Sequence, residues 1–264
     1  MVMRATECDA VLFDVDDVLT ETAAVHEQAW EELFNEVIRV LAPDERAVAP
    51  YEIADYLRYL RRIDGQPRTE GIRAVLEARR VHLPIGSPAD DERLLTVHGL
   101  ANRENQTFLR LVREQALHRY SDLAHVLTWL TIHDIRTAVV STLPNADIVL
   151  RAIELRDAVD VLVDGVATAL LSLPRDPSPA PYLFAARQLH ADPGRTIVVA
   201  DATRAIASAR GGGFWIVGVG RSVGCDVLVE SGADRVVGSF RDVFADERQR
   251  STPEPEVSVA EAAS

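Results

Sequence analysis

From Ala10 to Val15 the chain runs AVLFDV, a short apolar stretch typical of a parallel strand covered on both faces. It breaks off into acid at Asp14, Asp16 and Asp17. The period then changes. Val25, Ala29, Leu33, Val37 and Leu41 recur every four residues, with Trp30, Phe34 and Ile38 beside them, which predicts a helix from about Thr22 to Leu41. Pro43 and Pro50 bracket a turn or loop. Residues 51–120 read as mostly helical, interrupted by loops at 62–68 and 83–88, with no buried strand pattern. Strand-like runs then resume at Thr137–Ser141, Ala158–Val163, Thr196–Ala200 and Phe214–Val219. Helices near Ala146–Glu154, Pro179–Leu189 and Arg204–Arg210 separate them, and a helix at Val223–Ser231 with a strand at Arg235–Val237 continues the alternation.

Alternating strands and helices specify an α/β fold built on a doubly wound parallel sheet. The helical block after the first strand reads as a second, smaller domain. The expected division is a core of residues 1–21 and 121–246, a helical insertion of 22–120, and a disordered acidic tail of 247–264, polar and proline-containing.

Composition narrows the chemistry. All 28 basic residues are arginine and none is lysine, which removes Schiff bases, an anchored pyridoxal group and a Walker lysine. A receiver-type phosphoacceptor domain, which wants a lysine beside its acids, is excluded too. Arginine still permits recognition of phosphate or carboxylate. A net charge of −13 argues against nucleic acid. Cys8 and Cys225 form neither a disulfide framework nor a metal-spaced pair. With no long apolar run and no charged-then-apolar leader, no membrane association and a reducing cytoplasmic setting are expected.

In an open parallel sheet, ligands bind beyond the carboxyl ends of the strands. Asp14 and Asp16 follow the first strand, Ser141 ends the next, and Asp201 follows TIVVA. Taken singly, each acid is equally well a solvated loop residue. In this order, each behind a strand, they suit a hard divalent cation such as magnesium, which takes one or two carboxylates and leaves room for phosphate oxygens.

The run Phe13-Asp-Val-Asp-Asp-Val-Leu-Thr20, with Glu21 to His26 and Ala29-Trp30, resembles the opening of the haloacid dehalogenase superfamily, in its β-phosphoglucomutase-like branch. The resemblance extends from Ala10 to about Phe244. It takes in Asp64–Gly71, Gly99–Asn105, Ala138–Ser141 with Asn145, Val163-Asp-Gly165 and Gly211–Gly213. It implies a Rossmann-like core with an α-helical cap. Asp14 would be a nucleophile that accepts a phosphoryl group, and Asp16 a general acid/base whose backbone carbonyl also meets the metal. Asp14, Asp16 and Asp201 would hold Mg2+, and Ser141 would bond the phosphoryl oxygens. Thr22, at the hinge to the cap, with His26, Arg68 and Asn145, would lie on the substrate side. His26 also reads as a helix histidine packed near Trp30.

The departures from the family pattern concern charge. Asp176 stands where the family has its catalytic lysine, Ala200 where it has a glutamate, Asp17 for a glycine, Leu143 for a serine, and Glu104 for a cap lysine. Losing one preorganised donor costs roughly a hundred- to thousandfold in rate. Arg175, one residue from the lysine position, is the candidate replacement cation, and Arg204 is a second, read as a solvated helix position. Three readings follow. The first is a magnesium-dependent phosphohydrolase acting on a small phosphorylated metabolite such as a sugar phosphate, trehalose 6-phosphate included. The second is a disarmed member serving as a phosphosugar-binding or protein-interaction module. The third is a phosphosugar mutase, disfavoured because Glu104 removes a cation from the second phosphate site.

Overall fold

The structure is a computed structural model, and it describes residues 7–41, 51, 67–115, 117–174, 177–221 and 223–243. The loop between Pro43 and Pro50, most of the loop at 62–68 and the acidic tail lie outside the described residues.

Strand β1 (Ala10–Phe13) is buried along its whole length and pairs on one side with β2 (Arg136–Val140) and on the other with β4 (Thr196–Ala200). With β3 (Val161–Val163), β5 (Trp215–Val219) and β6 (Arg235–Val237) the sheet has six parallel strands in the order β3-β2-β1-β4-β5-β6. This is the doubly wound α/β arrangement that the alternating pattern predicts. Winding reverses between β1 and β4, the crevice where such sheets receive ligands.

The period of two along the strands builds two cores. Val11, Phe13, Val139, Ile197, Val199 and Val217 face one side, covered by α4 (Leu123–Ile132) and α5 (Ala146–Ala152). Ala10, Leu12, Ala138, Val198, Ala200 and Ile216 face the other, covered by α7 (Ala180–Gln188) and α8 (Thr203–Gly211). Between β1 and β2 the chain forms α1 (Ala23–Leu41), α2 (Arg68–Ala78) and α3 (Val97–Glu114). Their apolar faces make a third cluster around Trp30, Phe34, Tyr51, Ile72, Val75 and Leu100. Both long helices also reach into the sheet's own core: Val25 and Ala29 of α1 and Phe108, Leu109 and Val112 of α3 pack there. A short helix α6 (Gly165–Leu170) follows β3, and α9 (Cys225–Glu230) precedes β6.

Several boundaries differ from expectation. β1 stops at Phe13, because Asp14 turns its carboxylate onto the next N–H, that of Val15, at 2.8 Å. β3 begins only at Val161. The preceding Arg156–Ala158 forms a 3-10 turn, and Asp160 accepts the N–H of Thr137 at 2.8 Å, steering the chain into the sheet. Ser141 sits one residue beyond β2. The apolar helix α4 was not foreseen as a separate element.

Candidate active site

Register brings the acids together. Phe13 pairs with Val139 and with Val199, so Asp14, Ser141 and Asp201 leave three neighbouring strands at nearly the same level. Asp14 is half-buried, and its N–H donates to the carbonyl of Val199 at 3.0 Å. Asp16 accepts a hydrogen bond from the Thr22 hydroxyl. The link between them is a tight loop: Asp17 takes a left-handed φ of 56° and donates to the Thr20 carbonyl at 3.0 Å. A residue without a Cβ meets no penalty in that conformation, and aspartate is among the side chains that tolerate it. The loop is held from the far side as well. The Thr20 hydroxyl donates to the carbonyl of His118 at 2.8 Å, and Tyr120 N–H donates to Leu19 at 3.2 Å.

Ser141 is buried, and its Oγ accepts the N–H of Leu143 at 3.1 Å. The loop beyond it is shaped by Gly165, where a Cβ would lie 2.6 Å from the Thr142 carbonyl. Asp164 caps α6 by accepting the Ala167 N–H at 2.8 Å. The stretch Val163-Asp-Gly165 therefore works as a brace under the Ser141 loop. Asp201 is only 1% exposed, a carboxylate whose burial calls for a compensating charge. Arg204, on the first turn of α8, is half-buried with its Nε shielded from solvent, and is not the solvated position expected. Arg175 and Asp176 lie outside the described residues.

Asp14, Asp16, Ser141 and Asp201 offer oxygen donors, the kind magnesium takes. Among the described residues no three side chains of His, Cys, Asp or Glu converge as a metal cluster. Asp14 and Asp201 stand just beyond the ends of the neighbouring strands β1 and β4. The Asp16 carboxylate itself is engaged by Thr22.

The residues expected on the substrate side are all engaged by other protein groups. Thr22 is 0% exposed and spends its hydroxyl on Asp16, so it orients that carboxylate and does not line an open surface. Asn145 is buried and donates to Asn105 of α3 at 2.6 Å, tying the Ser141 loop to the helical insertion. His26 does not pack on Trp30, which stacks on Phe34 at 5.5 Å. The imidazole stacks on Phe108 at 4.1 Å, and its Nδ1 lies 3.4 Å from Glu104.

Arg68 Nε donates to the same carboxylate, and its guanidinium lies 5.9 Å from the Phe108 ring. Glu104 is 0% exposed. Burial alone would raise its pKa, but Arg68 and His26 outweigh burial and hold it below the ordinary glutamate value. Glu104 thus adds no unopposed negative charge to the site. Sequence reading missed this triad, because Glu104 is 36 residues from Arg68 and 78 from His26, and no spacing rule within one helix links them.

A second unforeseen pair lies under the loop of Asp14 to Asp17. Arg221 makes a two-pronged bond to Asp122 at 2.8 and 2.9 Å, reaches the Val18 carbonyl at 3.3 Å, and stacks 3.4 Å from the Tyr120 ring. Asp122 also accepts the Ser239 hydroxyl and the Phe240 N–H, each at 2.8 Å. Burial pushes its pKa up, and these donors overcome the push and leave it below the usual carboxylate value.

Comparison with known proteins agrees with this geometry. The family model for haloacid dehalogenase-like hydrolases matches residues 8–213. A β-phosphoglucomutase of Mycobacterium bovis is 35% identical over 241 residues, covering 89% of this chain and 91% of that one. A trehalose-phosphate phosphatase of Mycobacterium leprae is 36% identical over 113 residues, which is 41% of this chain and 24% of its own length. The crystal structure of CbbY from Rhodobacter sphaeroides in complex with phosphate superimposes with a TM-score of 0.68 at 26% identity, covering 89% of this chain and 96% of that one.

Proposed function

The chain belongs to the haloacid dehalogenase-like hydrolase family and is an enzyme of its phosphatase and phosphomutase kind, and from that premise we propose that it is a magnesium-dependent phosphohydrolase of a small phosphomonoester, a sugar phosphate by preference. Asp14 Oδ attacks phosphorus, forming an aspartyl phosphate while the bond from phosphorus to the alcohol oxygen breaks. Asp16, protonated at the start, gives its proton to the leaving oxygen. It then takes a proton from water as that water attacks phosphorus, releasing phosphate and restoring Asp14. The Ser141 hydroxyl can still donate to a phosphoryl oxygen, and Arg175 is assigned the cationic role of the missing lysine. Asp14, Asp201 and the Asp16 carbonyl would hold magnesium, which when bound neutralises charge on the transferring group. We assign residues 1–21 and 121–246 to the core and 22–120 to a cap over this crevice. A cytoplasmic setting goes with this reading, in keeping with the free thiols of Cys8 and Cys225. Among the described residues, no helix is long and apolar enough to cross a membrane.

The observation that carries the proposal is the placement of Asp14 and Asp201 just beyond the ends of the paired strands β1 and β4, across the winding reversal, beside an Asp16 already oriented by Thr22. The test is magnesium-dependent phosphate release from a phosphomonoester panel by the wild type and Asp14→Asn. The expected loss is at least about a thousandfold, given what a nucleophile contributes. Equal background release from both proteins would overturn the reading. A phosphosugar mutase is the second reading, favoured by the identity with the Mycobacterium bovis protein. It predicts phosphate moved between positions of one sugar in place of free phosphate.

A further inference from the structure

The triad of His26, Arg68 and Glu104 is tied to the strand ends at two points. His26 lies one helical turn beyond Thr22, its N–H on the Thr22 carbonyl at 2.9 Å, and Thr22 holds Asp16. On the other side Asn105, adjacent to Glu104, holds Asn145, four residues after Ser141. Residues four apart on a helix share a face, so the triad lies next to the space that a substrate attached to Asp14 must fill. Within it, Glu104 is sealed, whereas the side chains of Arg68 and His26 remain 15% and 16% exposed. The Arg68 charge is already spent on the Glu104 carboxylate.

We propose that this cluster is a charge-neutral specificity subsite, in which Glu104 cancels Arg68 and restricts the end of the substrate remote from the transferred phosphate to uncharged, hydroxyl-bearing groups. The inference rests on the phosphomonoester reading above and adds the chemistry of the substrate's other end. An uncharged, hydroxyl-bearing group can settle against the exposed parts of Arg68 and His26 without disturbing the ion pair. A second phosphate would have to pull the guanidinium from Glu104 and leave a buried carboxylate uncompensated, the costly outcome for any buried ion pair. Selection against a doubly charged substrate therefore comes from a repulsive element as much as from an attractive one.

The experiment compares a hexose 6-phosphate with the matching 1,6-bisphosphate, both by kcat/KM and by equilibrium binding to proteins carrying Asp14→Asn. Wild type and the double variant Arg68→Gln/Glu104→Gln, both neutral at the subsite, are expected to favour the monophosphate by at least about tenfold. Glu104→Gln alone frees the cation and is expected to shift the ratio toward the bisphosphate by at least about tenfold, and Arg68→Gln alone to shift it the opposite way. The two single variants move in opposite directions, so one that folds poorly leaves the other decisive. A ratio unchanged within about twofold in the single variants, or a wild type that prefers the bisphosphate, overturns the proposal. If no preparation shows hydrolysis that depends on Asp14, the phosphohydrolase reading falls, while the binding ratio still decides the subsite.

Discussion

Two largely shielded arginine–carboxylate pairs flank the loop of Asp14 to Asp17, and they are built to different ends. Arg221 and Asp122 are saturated. The carboxylate accepts from Arg221, Ser239 and Phe240, and the guanidinium adds the Val18 carbonyl and two ring faces. Arg68 and Glu104 are not, because one guanidinium nitrogen has no partner among the described residues. A fully satisfied polar network rigidifies what it touches, while an incomplete one leaves a costly unpaired group. The first pair therefore serves architecture, pinning Val18 and the loop of Asp14 to Asp17 against the turn at Phe240. The second serves recognition.

The sharpest way to break this comparison is Asp122→Ala. It strands Arg221 and is expected to cost about 3–5 kcal/mol, the loss typical of removing one partner from a buried pair, measured by urea unfolding. The depressed pKa of Asp122 gives this contribution a pH signature. Its stabilisation should be complete above the unfolded-state value of about 3.9 and be lost as pH falls through the lower folded-state value. The stability gap between wild type and Asp122→Asn should accordingly be level near neutrality and narrow in acid. A gap that widens in acid would show that Asp122 is not the anion described.

Thr22→Val tests whether the residue just before α1 positions the Asp16 carboxylate proposed as acid/base. With the only change at Asp16's donor, kcat should fall about ten- to a hundredfold, about 1.4–2.8 kcal/mol, with KM nearly unchanged. A rise in KM at constant kcat would instead place Thr22 on the substrate. Asp17→Gly is expected to leave the loop in place and gain up to about 1 kcal/mol by relieving the left-handed conformation, read from thermal unfolding. The smallest effect is expected where the comparison predicts least: Arg68→Met/Glu104→Met should shift stability by less than about 1 kcal/mol, since apolar replacement of a whole buried pair is often neutral. A loss as large as that of Asp122→Ala would put both pairs in the structural class.

Ala200 shows how a family pattern and a local environment can pull apart. Its methyl is fully buried and belongs to the core under α7 and α8, so a glutamate introduced there must carry its carboxylate out of an apolar layer to reach the crevice. Combining Ala200→Glu with Asp176→Lys tests whether these departures limit turnover: a large gain in phosphate release would show an intact but disarmed scaffold, and no gain is expected if Ala200 is held by its apolar layer.

The strands were legible because burial on both faces leaves a continuous apolar signature. Thr196–Ala200 and Arg235–Val237 match their expected bounds. The ends of β1 and β3 were less legible because side chains decide them: Asp14 folds onto its neighbour's N–H, and Asp160 captures Thr137. The acids of the crevice could be found from sequence since each stands directly after a strand, and parallel register levels them.

From its sequence alone, then, this protein's parallel sheet and its line of strand-end carboxylates were determined, because hydrophobic periodicity and chain order are local properties that a linear reading contains. What only the tertiary structure decided was the meaning of the charges. Glu104 reads as a misplaced anion until α1, α2 and α3 bring His26 and Arg68 against it. Thr22 reads as a substrate contact until its hydroxyl is found on Asp16. Electrostatic interaction depends on distance and burial between side chains far apart in the chain, and neither is set until the helices pack.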